Sequence, residues 1–178
     1  VDLLPSNPGG PSHRLDLATA DLADAFAGAD AVLHLASVFG AGLEGPEIDT
    51  AVEEALARRV LEAADHAGVG HVVVMSSATV YGPWANNAVP LTEDAPLRPH
   101  PDLAFAVQKA EIERMVGEWA ADHADAVAAT LRPVTVVADG TSGWLAQALH
   151  AAAALPTNEE TPIQYVHVDD VAAAVVAV

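Results

Sequence analysis

The sequence contains no cysteine, which excludes disulfide bonds and thiolate chemistry and fits a reducing compartment. Aromatic residues make up only 4% of the chain, whereas hydrophobic residues make up 52%, so we expect a largely aliphatic core. No apolar run reaches the roughly 18 residues that a membrane-spanning helix needs. A signal-peptide pattern is also missing. The sequence therefore predicts a cytoplasmic protein that does not associate with membranes.

Basic residues are scarce as well. Seven Lys and Arg stand against 25 Asp and Glu, which gives a formal net charge of −18. Phosphate groups would be repelled, so nucleic acids and anionic lipid surfaces are excluded as expected partners. No pair of histidines has metal-binding spacing beside a carboxylate, and no metal site is expected.

A length of 178 residues is enough for one domain with a full core. We expect residues 1–178 to form a single domain. The chain begins at Val1 rather than Met, and it stops within an apolar Ala- and Val-rich segment. We therefore expect an interior portion of a longer protein, incomplete at both ends.

Short apolar runs alternate with amphipathic segments, a pattern typical of a parallel α/β sheet. The predicted strands are His13–Leu17, Ala31–Ala36, His71–Ser76, Ala128–Arg132 and Ile163–Val168. The predicted helices are Thr19–Ala27, Pro46–Ala67, Leu103–His123, Ser142–Leu155 and Val168–Val178. Thr19 and Ser142 are expected as N-caps, and Gly28 and Gly68 as the residues that follow helix ends.

The strands are rich in Val and Leu without alternation, as expected for strands covered on both faces. The fold class predicted is therefore α/β, a doubly wound parallel sheet. The segments Ala31–Ala36, His71–Ser76 and Ala128–Arg132 are expected to be neighbouring central strands. Ligands of such sheets bind at the carboxyl ends of the strands. That rule directs attention to residues 36–45, 76–81 and 133–139.

A glycine pattern of the dinucleotide-binding type occurs at Gly40-Ala41-Gly42-Leu43-Glu44-Gly45. In a working motif the glycines lie tight against a strand end, so that a helix N-terminus meets the pyrophosphate. Three residues separate this segment from the predicted strand, and Pro46 follows it. We interpret it as a glycine-rich loop over the site instead.

Two segments carry a resemblance to a known family. The run Val72-Val73-Val74-Met75-Ser76-Ser77-Ala78-Thr79-Val80-Tyr81-Gly82 and the later Phe105-Ala106-Val107-Gln108-Lys109 resemble the catalytic half of an extended short-chain dehydrogenase/reductase. That is the NAD-dependent epimerase/dehydratase family, whose fold is Rossmann-like. Further matches are Leu15-Asp16-Leu17, Asp30-Ala31-Val32-Leu33-His34-Leu35-Ala36, Leu131-Arg132-Pro133 and Gln164-Tyr165-Val166-His167-Val168-Asp169.

The resemblance implies roles for particular residues. Ser77 would hydrogen-bond the substrate oxygen that is oxidised or reduced, and Lys109, the only lysine, would bind the nicotinamide ribose. Asp16 would meet the adenine of the cofactor, which is NAD or NADP. The cofactor-binding residues implied are Asp16, Leu17, Leu35, Ala36, Ser37, Lys109 and Pro133. The family's glycine-rich first strand and its C-terminal substrate lobe are not found in this sequence. Because the strand and the helix N-terminus that would receive the pyrophosphate are missing, we expect this portion alone to bind NAD(P) weakly or not at all.

Phe105 departs from the family pattern, because a tyrosine that moves the substrate proton is expected at this position. Glu53, Leu56 and Ala57 also stand where the family usually has Asn and a Gly-Thr pair. Three hypotheses remain open. The chain is an epimerase, dehydratase or reductase of a nucleotide sugar or related polar alcohol with impaired redox chemistry, a binding scaffold without redox chemistry, or a family member repurposed for a non-redox reaction such as cyclisation. A homodimer is compatible with each.

Overall fold

Two parallel sheets and four helices make up the part of the chain that the structure describes. The structure is a computed structural model and describes residues 15–37, 50–138 and 164–178. The strands are β1 (Val32–His34), β2 (His71–Met75), β3 (Val127–Leu131), β4 (Thr135–Val137) and β5 (Tyr165–His167). The helices are α1 (Leu22–Phe26), α2 (Thr50–Ala67), α3 (Ala104–Asp122) and α4 (Val168–Ala177), with a 3₁₀ turn over Ala78–Tyr81.

The larger sheet has the order β1-β2-β3, and all of its pairs are parallel. His34 pairs with Val74, and Met75 pairs with Leu131. The prediction that these three strands are neighbours is therefore confirmed, and so is the α/β, Rossmann-like class. The smaller sheet pairs β4 with β5, also in parallel.

The core lies between the larger sheet and the helices α2 and α3, which pack against each other. Val72 of β2, Ala64 of α2 and Ile112 of α3 are almost fully buried. The spacing of Leu56, Val60 and Ala64 explains why α2 forms a helix here, since residues four apart share one helix face. None of the described helices is both long and apolar enough to cross a bilayer.

The first predicted strand, His13–Leu17, is wrong over its described residues 15–17. These residues enter a turn in which Asp16 accepts hydrogen bonds from the Ala18 amide at 2.9 Å and the Thr19 hydroxyl at 3.1 Å. Thr19 is consequently not the N-cap of α1. Asp21 is, and its carboxylate accepts from the Ala23 amide at 3.1 Å. A local side-chain bond has here replaced extended backbone.

Other boundaries agree within a few residues, and Gly28 and Gly68 follow helix ends with φ of 76° and 68° as predicted. Strand β4 was not predicted, because it is only three residues long and follows Pro133 closely. The predicted helix Ser142–Leu155 with its N-cap, the loop Gly40–Gly45, the start of helix Pro46–Ala67 and Ile163 lie outside the described residues.

Candidate functional site

The carboxyl ends of β1, β2 and β3 lie at one edge of the sheet because all three strands are parallel. Ser37 follows β1, Ser76 and Ser77 follow β2, and Pro133 follows β3. Two backbone hydrogen bonds join the last two exits: the Ser76 amide donates to the Leu131 carbonyl at 2.7 Å, and the Ala78 amide to the Pro133 carbonyl at 3.0 Å. Residues from distant parts of the sequence are thereby held at the edge where open parallel sheets bind their ligands.

Ser77 caps the 3₁₀ turn Ala78–Tyr81. Its hydroxyl oxygen accepts from the Thr79 amide at 3.2 Å and from the Thr79 hydroxyl at 2.9 Å. The turn packs against α3, which carries Phe105 and Lys109. The half-buried Ser77 hydroxyl can still donate its own hydrogen.

Phe105 and Lys109 lie one helical turn apart on α3, so their side chains share a face. The ammonium nitrogen of Lys109 is 5.7 Å from the centre of the Phe105 ring, within the range of a cation–π contact. Lys109 is only 8% exposed. Its burial lowers the pKa of the amine, and the carboxylate of Glu53 raises that pKa in opposition.

Glu53 of α2 is fully buried and accepts a hydrogen bond from the Ser37 hydroxyl at 2.6 Å. His34, the last residue of β1, is also buried. Burial lowers the pKa of His34, and the charge of Lys109 lowers it further, while Glu53 raises it. The Ser37–Glu53 hydrogen bond and the electrostatic influence of Glu53 and Lys109 on His34 link four side chains, which we call the Lys109 cluster: His34, Ser37, Glu53 and Lys109.

A second polar group, centred on Arg132, lies at the same edge of the sheet. Arg132, just after β3, donates through Nε and Nη2 to both carboxylate oxygens of the buried Glu113 on α3, at 2.6–3.0 Å. It also donates to the Tyr81 hydroxyl at 2.7 Å, and the hydroxyl of Ser76 donates to Glu113. The sequence analysis did not identify this supporting role of Arg132 and Glu113. The available signal was Glu113 four residues after Lys109, on the same helix face.

The remaining predicted cofactor residues occupy two loops. Asp16 and Leu17 lie in the turn before α1, where Arg59 of α2 donates to the Leu17 carbonyl at 2.8 Å and to the Ala20 carbonyl at 2.6 Å. Asp16 is exposed, with its carboxylate engaged in its own turn. Leu35, 56% exposed, and Ala36 follow β1 directly. Within the described ranges, no three His, Asp or Glu side chains could hold a metal ion together.

Comparison with solved structures finds proteins that are similar over nearly the whole of this chain. It is 28% identical to MoeE5 in complex with UDP-glucuronic acid and NAD, with a TM-score of 0.78, and the match covers 98% of this chain and 61% of that one. A UDP-galactose 4-epimerase is 25% identical, with a TM-score of 0.70 and coverage of 96% and 57%. The UDP-glucose 4-epimerase of Thermus thermophilus in complex with NAD, at 24% identity, a TM-score of 0.75 and coverage of 97% and 61%, supports the fold alone.

The chain thus spans about three fifths of the length of these proteins. No curated protein sequence matches it. The profile of the NAD dependent epimerase/dehydratase family matches residues 4–178, which is nearly the whole chain. With the parallel sheet and the strand exits described above, this match is decisive: the chain belongs to the NAD dependent epimerase/dehydratase family.

Proposed function

We propose that this chain is the core of an NAD(P)-dependent epimerase, dehydratase or reductase that acts on a nucleotide sugar or a related polar alcohol, and that Phe105 impairs its redox chemistry. The observation that carries the proposal is Lys109, a buried cation facing the Phe105 ring. A charged amine is costly to bury, and buried ionisable groups with shifted pKa values cluster at functional sites. MoeE5, at 28% identity, was solved with UDP-glucuronic acid and NAD.

The predicted cofactor residues would divide between the two ends of a dinucleotide. Asp16 and Leu17 would hold the adenine end, and Leu35, Ala36, Ser37, Lys109 and Pro133 the nicotinamide end. Lys109 can offer three N–H donors to ribose hydroxyls, and the exposed side chain of Leu35 offers an apolar surface beside them. When bound, the nicotinamide would supply the hydride acceptor.

The chain's own residues would then position the substrate and its proton. Ser77 would donate a hydrogen bond to the reacting oxygen, where negative charge develops. Lys109 would stabilise that charge from α3. Phe105 keeps an aromatic ring against the ammonium, but it has no hydroxyl, so it can neither take nor give the proton. We also propose a cytoplasmic protein that can form a homodimer and that binds neither nucleic acid nor membranes.

Phe105→Tyr tests this function. Positioned proton transfer contributes on the order of 10²–10⁴-fold to a reaction rate, so the variant should turn over faster by about that factor. The assay is the absorbance change of NAD or NADP against a panel of nucleotide sugars, with the longest chain that contains these residues. Because the ring is only half-buried, the fold should accept the added hydroxyl.

Phe26→Tyr is the matched control, since Phe26 packs at the edge of the core in α1, outside the Lys109 cluster. It should leave the rate unchanged. A Phe105→Tyr variant that binds cofactor and sugar yet remains inactive would overturn the proposed role of Phe105 and favour a binding scaffold. A parent protein that already turns over at the rate of the Tyr variant would overturn it as well, because another residue would then move the proton.

A further inference from the structure

The segment around Ser77 is bonded on both sides to a pair of opposite charges. On the amino-terminal side, the hydroxyl of Ser76 donates to the carboxylate of Glu113. On the carboxyl-terminal side, the hydroxyl of Tyr81, the last residue of the 3₁₀ turn, accepts from Nη1 of Arg132 at 2.7 Å. Arg132 closes the connection, since its Nε and Nη2 donate to Glu113 at 2.6–3.0 Å. A continuous series of hydrogen bonds therefore joins Ser76 to Tyr81.

The polar side chains of this series are withdrawn from solvent. Ser76, Glu113 and Tyr81 are buried, and Arg132 is largely buried. Replacing a buried ion pair by apolar residues of similar size often leaves stability unchanged or improves it, so stability alone is a weak reason for the pair. Apolar side chains could not supply direction. The planar guanidinium and the two carboxylate oxygens fix where the hydroxyls of Ser76 and Tyr81 lie.

Glu113 also connects the Ser77 turn to the helix that carries the other candidate site residues. It lies four residues after Lys109 and eight after Phe105 on α3, so the three side chains project from one side of that helix. Its bond with Ser76 joins the exit of β2 to α3 directly beside Ser77. The placement of the Ser77 hydroxyl relative to this side of α3 therefore depends on Glu113.

We propose that Glu113 is a positioning residue of the candidate site: together with Arg132, it holds the turn that follows Ser77 against α3 and thereby fixes the direction of the Ser77 hydroxyl. The purpose of this role rests on the proposed function, in which Ser77 meets the reacting oxygen. Glu113 would act on a substrate only through Ser77. The local hydrogen bond from the Thr79 amide to Ser77, at 3.2 Å, does not hold the hydroxyl on its own.

The first test needs no ligand and observes Ser77 directly, in the longest chain that contains these residues. With ¹³Cβ-labelled serine, the three-bond couplings between Hα and Hβ report which staggered χ1 rotamer Ser77 adopts. The signal that disappears in Ser77→Ala identifies the residue. The parent protein should show one rotamer.

Glu113→Gln should change this result. Glutamine keeps the size of the side chain, but it replaces one of the two acceptor oxygens by an NH₂ donor and removes the charge. The Ser77 couplings should then average over more than one rotamer, while the circular dichroism spectrum stays that of the parent. A single, unchanged Ser77 rotamer in Glu113→Gln overturns the proposal, because the bond from Thr79 would then be sufficient.

Glu118→Gln is the matched control. Glu118 lies on the same helix, but its side chain is exposed and pairs with Arg114. This variant should leave the Ser77 rotamer unchanged. Equal averaging in Glu118→Gln and Glu113→Gln would also overturn the proposal, since any loss of a carboxylate from α3 would then have the same effect.

Ser76→Ala/Tyr81→Phe applies if Glu113→Gln does not fold. This double variant leaves Glu113 paired with Arg132 and removes the two hydroxyls through which the pair reaches the turn. The same averaging of the Ser77 rotamer is expected in a folded protein. A single rotamer in the double variant overturns the proposal, because the charge pair would then stabilise the fold without directing Ser77.

A kinetic measurement separates this role from the proposed function. In the Phe105→Tyr background, Glu113→Gln should lower kcat about 10²-fold with little change in KM, because a slight misplacement of a catalytic group costs about that factor. A higher KM with an unchanged kcat would overturn the role of Glu113 in directing Ser77 to the reacting oxygen. If Phe105→Tyr shows no turnover, the proposed function fails, whereas the rotamer of Ser77 still decides the role of Glu113.

Discussion

Arg132 connects three elements beside the candidate site without being one of the predicted site residues. Its guanidinium reaches the carboxylate of Glu113 on α3, the hydroxyl of Tyr81 at the end of the 3₁₀ turn, and the backbone carbonyl of Glu93 at 2.9 Å. The ring of Tyr81 lies 5.3 Å from the guanidinium carbon. The hydrogen bond with Glu113 holds the pKa of Arg132 above its ordinary value. The strand exit, the turn and the helix are thus joined at one residue.

Arg132→Met should destabilise the fold by about 2–4 kcal/mol, because it leaves Glu113 buried without its cation. The side chain of Arg132 retains 20% exposure, so the effect should fall somewhat short of that of a fully buried pair. Chemical denaturation at neutral pH measures the change. Arg114→Met is the control: Arg114 pairs with Glu111 and Glu118 on the exposed side of the same helix, where little change is expected. Equal losses in both variants would refute the distinction.

Between elements, His123 joins the end of α3 to the last turn of α2. Its Nδ1 lies 2.7 Å from the Trp119 carbonyl, its Nε2 lies 2.6 Å from a carboxylate oxygen of Asp65, and its ring stacks on Trp119 with centroids 4.6 Å apart. Both ring nitrogens face acceptors, and only the imidazolium carries an N–H on each nitrogen to donate to both. The pKa of His123 is accordingly raised, first by the Trp119 carbonyl and then by Asp65.

A group whose pKa is raised by folding stabilises the folded state below its unfolded pKa, and that contribution disappears as pH rises through the folded value. Asp65→Asn should therefore cost more stability at about pH 6 than at about pH 9. Denaturation of parent and variant at both pH values checks this. His34, with its lowered pKa, destabilises the fold as pH falls below 6.5, but it does so in both proteins and cancels in the difference. Asp125→Asn, an exposed neighbour, should show no such pH trend, and an equal trend would contradict the assignment.

The longer elements were predictable from the sequence for a physical reason. Helices α2 and α3 repeat their apolar residues at helical spacing over five turns, and β2 is a run of valines, so local pattern and burial agree. Short elements could not be predicted in this way. Strand β4 has three residues and depends on its pairing with β5, a contact that no local pattern reveals. At Asp16, a side-chain bond to its own turn outweighed the apolar neighbours that favoured a strand.

For the molecule as a whole, the family and the edge that bears the site could be inferred from motifs, whereas the pairing of charges could not. Ser77, Phe105 and Lys109 were identified by their resemblance to the family's motifs, and their catalytic roles remain predictions. Glu53 was visible only as a departure from the family pattern. Its burial and its hydrogen bond with Ser37 depend on how α2 packs in the assembled fold. The partnership of Glu113 with Arg132 likewise spans 19 residues.

The two backbone bonds that join the exits of β2 and β3 have a consequence for hydrogen–deuterium exchange. The amides of Ser76 and Ala78 lie beyond the end of β2. Amide hydrogens in such a loop ordinarily exchange quickly with solvent, through local opening. Because these two amides donate to Leu131 and Pro133, they should exchange only when the central strands separate, as slowly as the amides of β2 itself. The amide of Thr79, bonded to the Ser77 hydroxyl on an exposed residue, should exchange much sooner. Mass spectrometry or NMR would resolve the three, and equal rates would contradict this expectation. Slow exchange at Ser76 and Ala78 would mean that the exits of β2 and β3 are already ordered, so that a ligand binding there would not have to order them.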